Sequence, residues 1–342
     1  MVKVKKHGII LEPNRNSSFD CQGVLNPACI REEDSVHMFY RAVKWGNRSS
    51  IGYARLDGPL DLAERAKKPV LTPKFKYEKQ GMEDPRIVKI GKKYYMTYVT
   101  YNGKDALTAY ATSSDLKSFK RMGIITPKMT YNTAEKWLRY SKLKESYYWF
   151  GSYYRDTITE DVLLRDKDVI LFPGKINGKF AMFHRIIPDI QIVYFKDFKH
   201  LTHGFWRDHL KRLSEYVVME PKYSFESRNI GGGCPPIKTD KGWITIYHAV
   251  EGSNEGKTYC AGAALLDKKD PLKVIGHLKK PLFSPEEKWE LLGVVNSVVF
   301  PTGTAIFGKK LYVYYGAADK RIAAASVNMN NLVEEMLENG PR

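Results

Sequence analysis

A short polar run stands out in the sequence at Gly81-Met-Glu83-Asp84-Pro-Arg86-Ile87. Two adjacent acids followed by proline and arginine are poor strand formers. Proline pushes the residue before it towards extended backbone, so the main chain of Asp84 is expected to be extended and well fixed. A carboxylic acid held in this way could donate a proton to a substrate. A turn in which Asp84 is the capping residue fits the same residues equally well.

Three further polar clusters follow strand-like runs and are rich in cationic and aromatic side chains. A single His or Lys is most often a buried, hydrogen-bonded or solvated residue, but recurrence at strand ends favours a shared site. The sequence has no Ser-His-Asp order, no metal-ligand spacing and no phosphate-binding Gly-x-x-x-x-Gly-Lys loop. The clusters are Lys167–Gly178 with His184, Arg185, Pro188 and Asp189; Gly231–Lys238 with Tyr247, His248 and Tyr259; and Tyr315–Asp319.

One well-placed acid surrounded by cations fits cleavage of a glycosidic bond by phosphate. Such cleavage needs a proton for the leaving oxygen and a nucleophile for the anomeric carbon. Inverting hydrolysis requires a second carboxylate that activates water, whereas inorganic phosphate is already a nucleophile and needs only cations to hold it. The residue types therefore favour phosphorolysis over hydrolysis.

The elements that must position these residues are β-strands in a repeating pattern. An aromatic strand followed by a strand rich in small residues recurs five times, and a Gly or Lys turn precedes four of the first strands. Five such units of about 68 residues predict an all-β, five-bladed β-propeller, with about four strands per blade. A pair of β-sandwiches is the alternative, but it does not explain the fivefold recurrence. The strand pairs begin at His37 and Ile51, Tyr94 and Leu107, Phe180 and Ile190, Trp243 and Cys260, and Leu311 and Ile322.

Residues 1–342 are interpreted as one domain because no Pro- or Ser-rich linker divides them. A short C-terminal helix is predicted over 331–337, and a weaker helical pattern covers 200–216. The aromatic and charged segment 126–166 breaks the repeat and is interpreted as an insertion or lid. It could also be an extra strand pair or a contact in a homo-oligomer, and its aromatic residues are more easily explained by packing than by ligand binding.

Composition narrows the classes of partner. The 55 Lys and Arg residues exceed the 38 Asp and Glu residues by 17, but they are spread over turn positions such as 91–93 and 308–310. Nucleic-acid binding would call for a concentrated basic stripe, so none is expected. Four scattered cysteines, no apolar run of membrane-spanning length and no secretory signal predict a cytoplasmic protein with neither disulfides nor a membrane segment.

At these motifs the sequence resembles glycoside hydrolase family 130, the mannoside phosphorylases. The matching motifs occur in family order and span roughly residues 24 to 327. The resemblance implies a five-bladed β-propeller that cleaves β-mannosides with inversion, using inorganic phosphate and no other cofactor or metal, and releases α-mannose 1-phosphate. The motifs are Glu83–Ile87, Leu171–Phe180 with His184 and Arg185, Pro235–Lys238, Ile246–His248, Ala261–Asp267, Val299–Gly303 and Tyr314–Asp319.

The resemblance also implies a role for each matching residue. Asp84 corresponds to the general acid, which is thought to act through a hydroxyl of the bound mannose. Residues implied or predicted to bind the sugar substrate are Asn26, Arg41, Arg86, Asp189 and Asp319. Residues implied to bind phosphate are Lys167, Arg185, Lys238, His248 and Tyr259.

Three features depart from the family pattern, and two other functions stay open. The usual Phe-Pro-Glu-Lys is Phe172-Pro-Gly-Lys175, Gly-Ala-Gly is replaced by Gly231-Gly-Gly-Cys, and the 126–166 segment is longer. The β-1,2 or β-1,4 linkage and the leaving sugar are therefore not predicted. An inverting mannosidase that uses water would need another acid, for which Glu220, Glu226 and Glu251 are candidates. A non-catalytic propeller that binds glycans or nucleic acid is the third hypothesis.

Overall fold

Five antiparallel β-units follow one another along the chain in a computed structural model that describes residues 2–254 and 256–342. Within the units most strands pair with the next strand along the chain, so that most pairing is local in sequence. The described residues are therefore mostly β-structure. The aromatic and small-residue strands predicted from the repeat form the middle strands of every unit, which confirms those strand pairs.

The first three units are built as regular meanders. Units 1 and 2 form a continuous sheet through a single parallel bridge between Ser49 and Gly81. Unit 1 comprises β2 (Gly23–Glu32), β3 (Ser35–Lys44), β4 (Arg48–Asp57) and β5 (Asp61–Arg65); unit 2 comprises β6 (Gly81–Ile90), β7 (Lys93–Tyr101), β8 (Ala106–Ser113) and β9 (Lys120–Ile124); unit 3 comprises β10 (Lys167–Leu171), β11 (Phe180–Arg185), β12 (Ile190–Phe195) and β13 (Val217–Met219).

The last two units complete the series, and the fifth unit takes its outer strand from the N-terminus. Strand β1 pairs antiparallel with the last strand of the chain, so the two ends of the sequence share one sheet. Unit 4 comprises β14 (Asn229–Gly232), β15 (Ile237–Lys238), β16 (Trp243–Ser253), β17 (Gly256–Leu266) and β18 (Val274–His277); unit 5 comprises β19 (Val299–Phe307), β20 (Lys310–Ala317), β21 (Arg321–Asn328) and β1 (Val4–Leu11).

The described residues also form five α-helices outside the meanders: α1 (Tyr131–Leu138), α2 (Ser146–Thr157), α3 (His203–Leu210), α4 (Lys288–Leu291) and α5 (Met329–Glu338). The segment 126–166 thus contributes two helices and not a strand pair. Helix α3 lies within the weak helical pattern at 200–216, and α5 confirms the predicted C-terminal helix. The Asn328 side chain caps α5 by accepting hydrogen bonds from the backbone of Asn330 and Asn331.

A repeated buried contact explains the aromatic and small-residue pattern. In each unit a side chain on the aromatic strand reaches a carboxylate that lies 18 to 25 residues earlier and is at least 99% buried. We call each such contact an anchoring pair. The anchoring pairs, with their donor-to-acceptor distances, are Tyr40–Asp20 (2.8 Å), Tyr98–Glu78 (2.9 Å), His184–Asp166 (3.0 Å), Tyr247–Glu226 (2.6 Å) and Tyr315–Glu290 (2.6 Å).

Small residues on the third strand make room for the anchoring tyrosines. Tyr40 lies opposite Gly52, and Tyr247 lies opposite Gly262. A Cβ atom added at Gly262 would come within 2.2 Å of the Tyr247 ring, so a larger residue cannot be placed there without moving the tyrosine. Alanine takes the equivalent position opposite Tyr98 and Tyr315 in units 2 and 5. The bulky tyrosine on the aromatic strand therefore requires a small residue on the strand that pairs with it.

Candidate active site

The first strands of units 1, 2 and 3 each contain a bulge with a polar residue in the left-handed backbone region. Asn26, Asp84 and Asp168 have φ angles of 51°, 47° and 56°. Each coincides with a register shift between the first and second strands of its unit. A bulge redirects the side chain at the shift, and Asn and Asp tolerate this backbone better than most residues. The expectation of extended backbone at Asp84 is therefore wrong, because the bulge overrides the preference imposed by Pro85.

Asp84 lies in a group of residues from units 1, 2 and 3. Its Oδ1 atom accepts a hydrogen bond from Asn26 Nδ2 at 2.7 Å, and Arg41 Nη1 lies 3.6 Å from the same oxygen. Arg41 also donates to Glu83 Oε1 at 2.8 Å, while Lys167 Nζ contacts Glu83 Oε2 at 3.3 Å. Glu83 thus uses both carboxylate oxygens to hold two cations, of which Arg41 also contacts the aspartate. The sequence motif contained Glu83, but no role was predicted for it.

Asp319 belongs to the same group, since its charge interacts with those of Arg41, Asp84 and Glu83. It follows Ala318 in the turn between β20 and β21, and both residues adopt positive φ angles of 49°. Burial raises the pKa of Asp319 to about 6, and the nearby acids add to this effect while Arg41 opposes it. Asp319 is therefore a carboxylate that changes its protonation state near neutral pH.

A second group, rich in cations, surrounds the buried carboxylate of Asp168. Arg185 Nη1 lies 3.0 Å from Asp168 Oδ2, Arg86 Nη2 lies 3.7 Å from Oδ1, and His248 Nε2 lies 3.9 Å from Oδ2. Burial alone would raise the pKa of Asp168, but the charges of these neighbours, led by Arg185, lower it overall. Asp168 is thus an ionised acid that holds two guanidinium groups. Its function was missed because its partners come from units 2, 3 and 4.

Arg86 links the two groups. Its side chain is 2% exposed, and Nη1 donates to the backbone oxygens of Asp84 and Pro85 at 3.0 and 3.1 Å. Arg86 Nε donates to the backbone oxygen of Gly233. The arginine predicted to bind substrate therefore also holds the main chain at the proposed general acid against unit 4.

His248 is a neutral hydrogen-bond acceptor in the cation group. Burial lowers the pKa of His248 to about 4, and the charges of Arg185 and Arg86 contribute. An arginine can only donate, so the 3.2 Å contact between Arg185 Nη1 and His248 Nε2 requires an unprotonated Nε2. The His248 ring stacks on Phe300, with ring centroids 4.4 Å apart. A Cβ atom at Gly231 would come within 2.4 Å of this ring, which explains part of the Gly231–Gly233 run.

Tyr259 and Arg228 extend the cation group towards helix α2. Burial raises the pKa of the Tyr259 hydroxyl, and the nearby positive charges of Arg185 and Arg228 counteract this. Arg228 lies 5.1 Å from the Phe150 ring centroid in a cation–π contact. Arg228 had not been singled out, although it directly precedes the strand that carries Gly231. The helical 126–166 segment therefore borders the cation group.

Two predicted residues lie elsewhere. Lys238 is on β15 opposite Trp243, and His248 lies five positions after Trp243 on β16, a distance of about 16 Å along the strand. The Lys238 side chain is exposed and lies over the Trp243 ring. Asp189 is fully buried, and its carboxylate accepts a 2.7 Å hydrogen bond from Tyr147 on α2. The structure therefore brings neither Lys238 nor Asp189 into contact with Asp84 or Arg185.

The spare acids of the mannosidase hypothesis are also committed to other contacts. Glu226 is the buried acceptor of an anchoring pair and forms an ion pair with Arg342. Glu220 pairs with Lys144 at 2.6 Å on the surface. Glu251 lies on β16 opposite Thr258, three positions after His248. No contact within the described part of the chain joins any of the three to Asp84.

Within residues 2–254 and 256–342, three guanidinium nitrogens at the site are buried without a hydrogen-bond acceptor: Arg41 Nε, Arg86 Nη2 and Arg185 Nε. Unsatisfied buried donors are rare in folded proteins and call for an explanation. These three nitrogens are available to an oxyanion, although Arg121 Nε, Arg165 Nε and Arg321 Nε lack a hydrogen-bond acceptor in the same way elsewhere among the described residues. The arrangement can thus hold an anion close to a carboxylic acid that is itself fixed on a bulge.

Comparison with known proteins identifies the family. A family model described as β-1,4-mannooligosaccharide phosphorylase of glycoside hydrolase family 130 matches residues 7–338. The chain belongs to glycoside hydrolase family 130. The family assignment suggested by the sequence motifs is thereby confirmed.

No helix among the described residues is long and apolar enough to cross a bilayer.

Individual relatives of this family 130 chain match nearly its whole length. It is 34% identical to a 1,2-β-oligomannan phosphorylase of Thermoanaerobacter sp. (strain X514) over 97% of this chain and 99% of the relative. It is 36% identical to a β-1,2-mannobiose phosphorylase of the same organism over 93% and 94%. The structure of a β-1,2-mannobiose phosphorylase from Listeria innocua, in complex with β-1,2-mannobiose, superposes with a TM-score of 0.73 at 22% identity, covering 98% of this chain and 99% of the other. The structural likeness concerns the fold.

Proposed function

We propose that this protein is an inverting phosphorylase that cleaves β-1,2-linked mannosides with inorganic phosphate and releases α-mannose 1-phosphate. The observation that carries the proposal is the concentration of buried arginine side chains around Asp84 and Asp168, with guanidinium nitrogens that lack an acceptor. Phosphorolysis of β-mannosides agrees with the family assignment and with the names of the relatives. Both relatives that match along nearly the whole chain are named for β-1,2 linkages, whereas a β-1,4-mannooligosaccharide phosphorylase of Ruminococcus albus matches 49% of it.

In this mechanism Asp84 supplies the proton for the leaving oxygen. Asn26 and Arg41 hold Oδ1 of the carboxyl group, which leaves Oδ2 to deliver the proton, directly or through a hydroxyl of the bound mannose. Glu83 keeps Arg41 and Lys167 in place and so fixes the surroundings of the acid. Asp319 lies close enough to the same group to accept hydrogen bonds from sugar hydroxyls.

Phosphate is the nucleophile, and the cation group binds it on the opposite face of the anomeric carbon. Arg185, Arg86 and Lys167 provide positive charge, and Tyr259 with Arg228 extends the site towards α2. Arginine forms two parallel hydrogen bonds to a phosphate, and lysine contributes a point charge. Because the nucleophile is already an anion, no second carboxylate is needed as a base. We leave Lys238 and Asp189 out of this site because of their positions.

The five units are proposed to be the blades of a β-propeller. The first strands of neighbouring units contact one another in succession, β19 with β2, β2 with β6, β6 with β10 and β10 with β14. The pairing of β1 with β21 joins the chain ends within the fifth unit, as expected for a ring of blades. In such a ring the bulges carrying Asn26, Asp84 and Asp168 all face the central axis. A low-resolution scattering envelope or a crystal structure would test this arrangement.

Hydrolysis is the competing reaction on the same scaffold. One solved structure similar to this chain, at 22% identity, is described as a family 130 glycoside hydrolase that targets β-1,2-mannosidic linkages in Candida mannan. The positions of Glu220, Glu226 and Glu251 argue against water activation by these acids. The deciding experiment incubates the protein with β-1,2- and β-1,4-mannobiose, with and without phosphate. We expect mannose 1-phosphate from the β-1,2 substrate and no turnover without phosphate; equal release of free mannose with and without phosphate would contradict the proposal.

A further inference from the structure

A chain of buried hydrogen bonds connects helix α3 to the backbone of Arg185. Asp166 is fully buried, and its two oxygens have different partners: Oδ1 accepts from the Arg185 backbone nitrogen at 2.9 Å, and Oδ2 contacts His184 Nδ1 at 3.0 Å. His184 Nε2 in turn lies 3.0 Å from Nε2 of His209 on α3. Both histidines are at least 96% buried. None of these three side chains takes part in the mechanism above.

The chemistry of the partners constrains the proton positions in this chain. A carboxylate accepts hydrogen bonds, so Nδ1 of His184 carries a proton. The 3.0 Å contact between the two Nε2 atoms requires that one ring donates and the other accepts. Burial, followed by the influence of His184, lowers the pKa of His209 well below its ordinary value, which agrees with a neutral ring. His209 therefore completes the hydrogen bonding of His184, which in turn holds Asp166.

Asp166 lies next to the backbone positions of Lys167 and Arg185, the two cations of unit 3. It directly precedes Lys167, which is paired across β10 and β11 with Arg185. The bulge at Asp168 begins immediately afterwards, so little regular pairing fixes this end of β10. The backbone oxygen of Asp166 accepts a 2.9 Å hydrogen bond from Thr108 of unit 2. The Asp166 carboxylate consequently holds the backbone of β11 at Arg185 against the start of β10 at Lys167.

The other anchoring pairs end at a tyrosine on a strand. In unit 3 the acceptor is linked, through two imidazoles, to a helix that stands outside the meander. Trp206 on α3 packs edge-on against the His184 ring, with centroids 5.4 Å apart, and its Nε1 atom donates to the Ile125 backbone oxygen. The helix is thus fixed against the start of the 126–166 segment as well as against the histidine.

We propose that His209 is a positioning residue for phosphate: through His184 and Asp166 it holds Lys167 and Arg185 in the geometry that binds the anion. The proposal rests on the phosphorylase function stated above. Loss of His209 Nε2 leaves the buried Nε2 of His184 without a partner and loosens Asp166. The effect falls on phosphate more than on the sugar, because Asn26, Arg41 and Asp84 belong to units 1 and 2.

The test compares three variants of the full-length protein. His209→Phe keeps a ring but removes Nε2, and His209→Gln restores an amide that can donate or accept close to the position of Nε2. Tyr98→Phe is the matched control, since it removes the donor of the unit 2 anchoring pair, which is followed by Val99 and not by a site residue. Should the phenylalanine variant misfold, His209→Met takes its place. Inorganic phosphate is titrated calorimetrically, and KM values for phosphate and mannoside are measured separately.

We expect His209→Phe to weaken phosphate binding roughly 3- to 10-fold, the size of one net hydrogen bond, with the mannoside KM within twofold. His209→Gln should recover most of the loss, and Tyr98→Phe should leave phosphate affinity unchanged. Unchanged phosphate affinity in His209→Phe, or equal weakening of phosphate and mannoside, would overturn the proposal. So would a glutamine variant that folds but binds phosphate no better than the phenylalanine variant.

The titration separates failure of this proposal from failure of the proposed function. Suppose that the wild-type protein cleaves mannosides with phosphate and that His209→Phe binds phosphate as tightly as the wild type. That result would contradict the role of His209 and leave the proposed function standing. A wild-type protein that binds phosphate through His209 but releases mannose by hydrolysis sinks the function alone. Absence of phosphate binding by the wild-type protein sinks both.

Discussion

Unit 3 and the other four units solve the same packing problem with different chemistry. Units 1, 2, 4 and 5 close their anchoring pairs with a tyrosine hydroxyl, whereas unit 3 uses His184. Opposite each tyrosine is a glycine or an alanine, but opposite His184 is Gln191, whose amide donates to the Tyr147 hydroxyl of α2. The larger, polar neighbourhood of unit 3 accommodates the helices that the other units lack at this point.

The comparison teaches where functional side chains can be placed. Successive residues of a strand face opposite sides of a sheet, so the residue after an anchor lies on the other face from the anchoring pair. In units 1, 3 and 4 that residue is Arg41, Arg185 or His248, and each belongs to the site. In units 2 and 5 it is Val99 or Gly316, and the site residue comes instead from the bulge at Asp84 or from the turn at Asp319. Anchoring and function thus alternate along the same strands.

Replacing the proposed proton donor of unit 2 should produce the largest effect. We expect Asp84→Asn to reduce kcat by about 10² to 10⁴, since this is the usual contribution of general acid catalysis. The fold should persist, because an amide can still accept from Asn26. Steady-state rates with saturating phosphate, together with circular dichroism, check the prediction. Turnover within tenfold of the wild type would show that Asp84 is not the general acid. The assignment of proton donation to unit 2 and phosphate binding to unit 3 would then fail.

Removing a cation from unit 3 should affect phosphate selectively. A hydrogen bond to a charged group contributes about 1.5–3 kcal/mol, so Arg185→Ala should raise the KM for phosphate roughly 10- to 100-fold. The KM for mannoside should change less than threefold. Lys238→Ala is the control that removes an equal charge at a distance and should leave both constants unchanged. A large phosphate effect at Lys238, or equal effects on both substrates at Arg185, would contradict the site as drawn.

Removing an anchoring hydroxyl outside unit 3 should affect stability without affecting substrate binding. Tyr315→Phe leaves the buried Glu290 carboxylate without one of its donors, which should lower the free energy of unfolding by about 1–3 kcal/mol. Lys6 still pairs with Glu290 at 2.7 Å and moderates the loss. Urea denaturation followed by tryptophan fluorescence measures the change. A variant as stable as the wild type would show that the anchoring pairs contribute little to the folded state.

The smallest effect concerns pH and the sugar side of the site. Because the pKa of Asp319 is raised to about 6, its carboxyl group is mostly protonated at pH 5 and mostly ionised at pH 7. Protonation removes one acceptor for sugar hydroxyls, so the mannoside KM should rise roughly 2- to 10-fold on going from pH 7 to pH 5. The Asp319→Asn variant should show a weaker affinity that no longer changes over this range. An unchanged pH dependence in that variant would assign the titration to another group.

Much of the fold could be predicted because its signals are local. The aromatic strands, their small-residue partners and the C-terminal helix each arise from side-chain patterns within a few residues. The outer strands were less visible: β1 lies far in sequence from β21, and β13 has only three residues. The helices of 126–166 were missed because their aromatic residues do not form a clear helical stripe: Tyr147 is buried, whereas Trp149 is 68% exposed.

The sequence by itself determined the residue types of the site, the fivefold repetition and, through its motifs, the family. Tertiary structure decided which of those residues meet. Asp84 and Arg86 are near neighbours in the chain, but Asn26, Arg41 and Asp168 reach them from other units across bulges that the sequence does not reveal. Lys238 and Asp189 share motifs with site residues yet lie elsewhere, because a strand moves each residue about 3.3 Å further along its axis and alternates its face. Proximity in a motif therefore does not imply proximity in space, whereas contacts between units do.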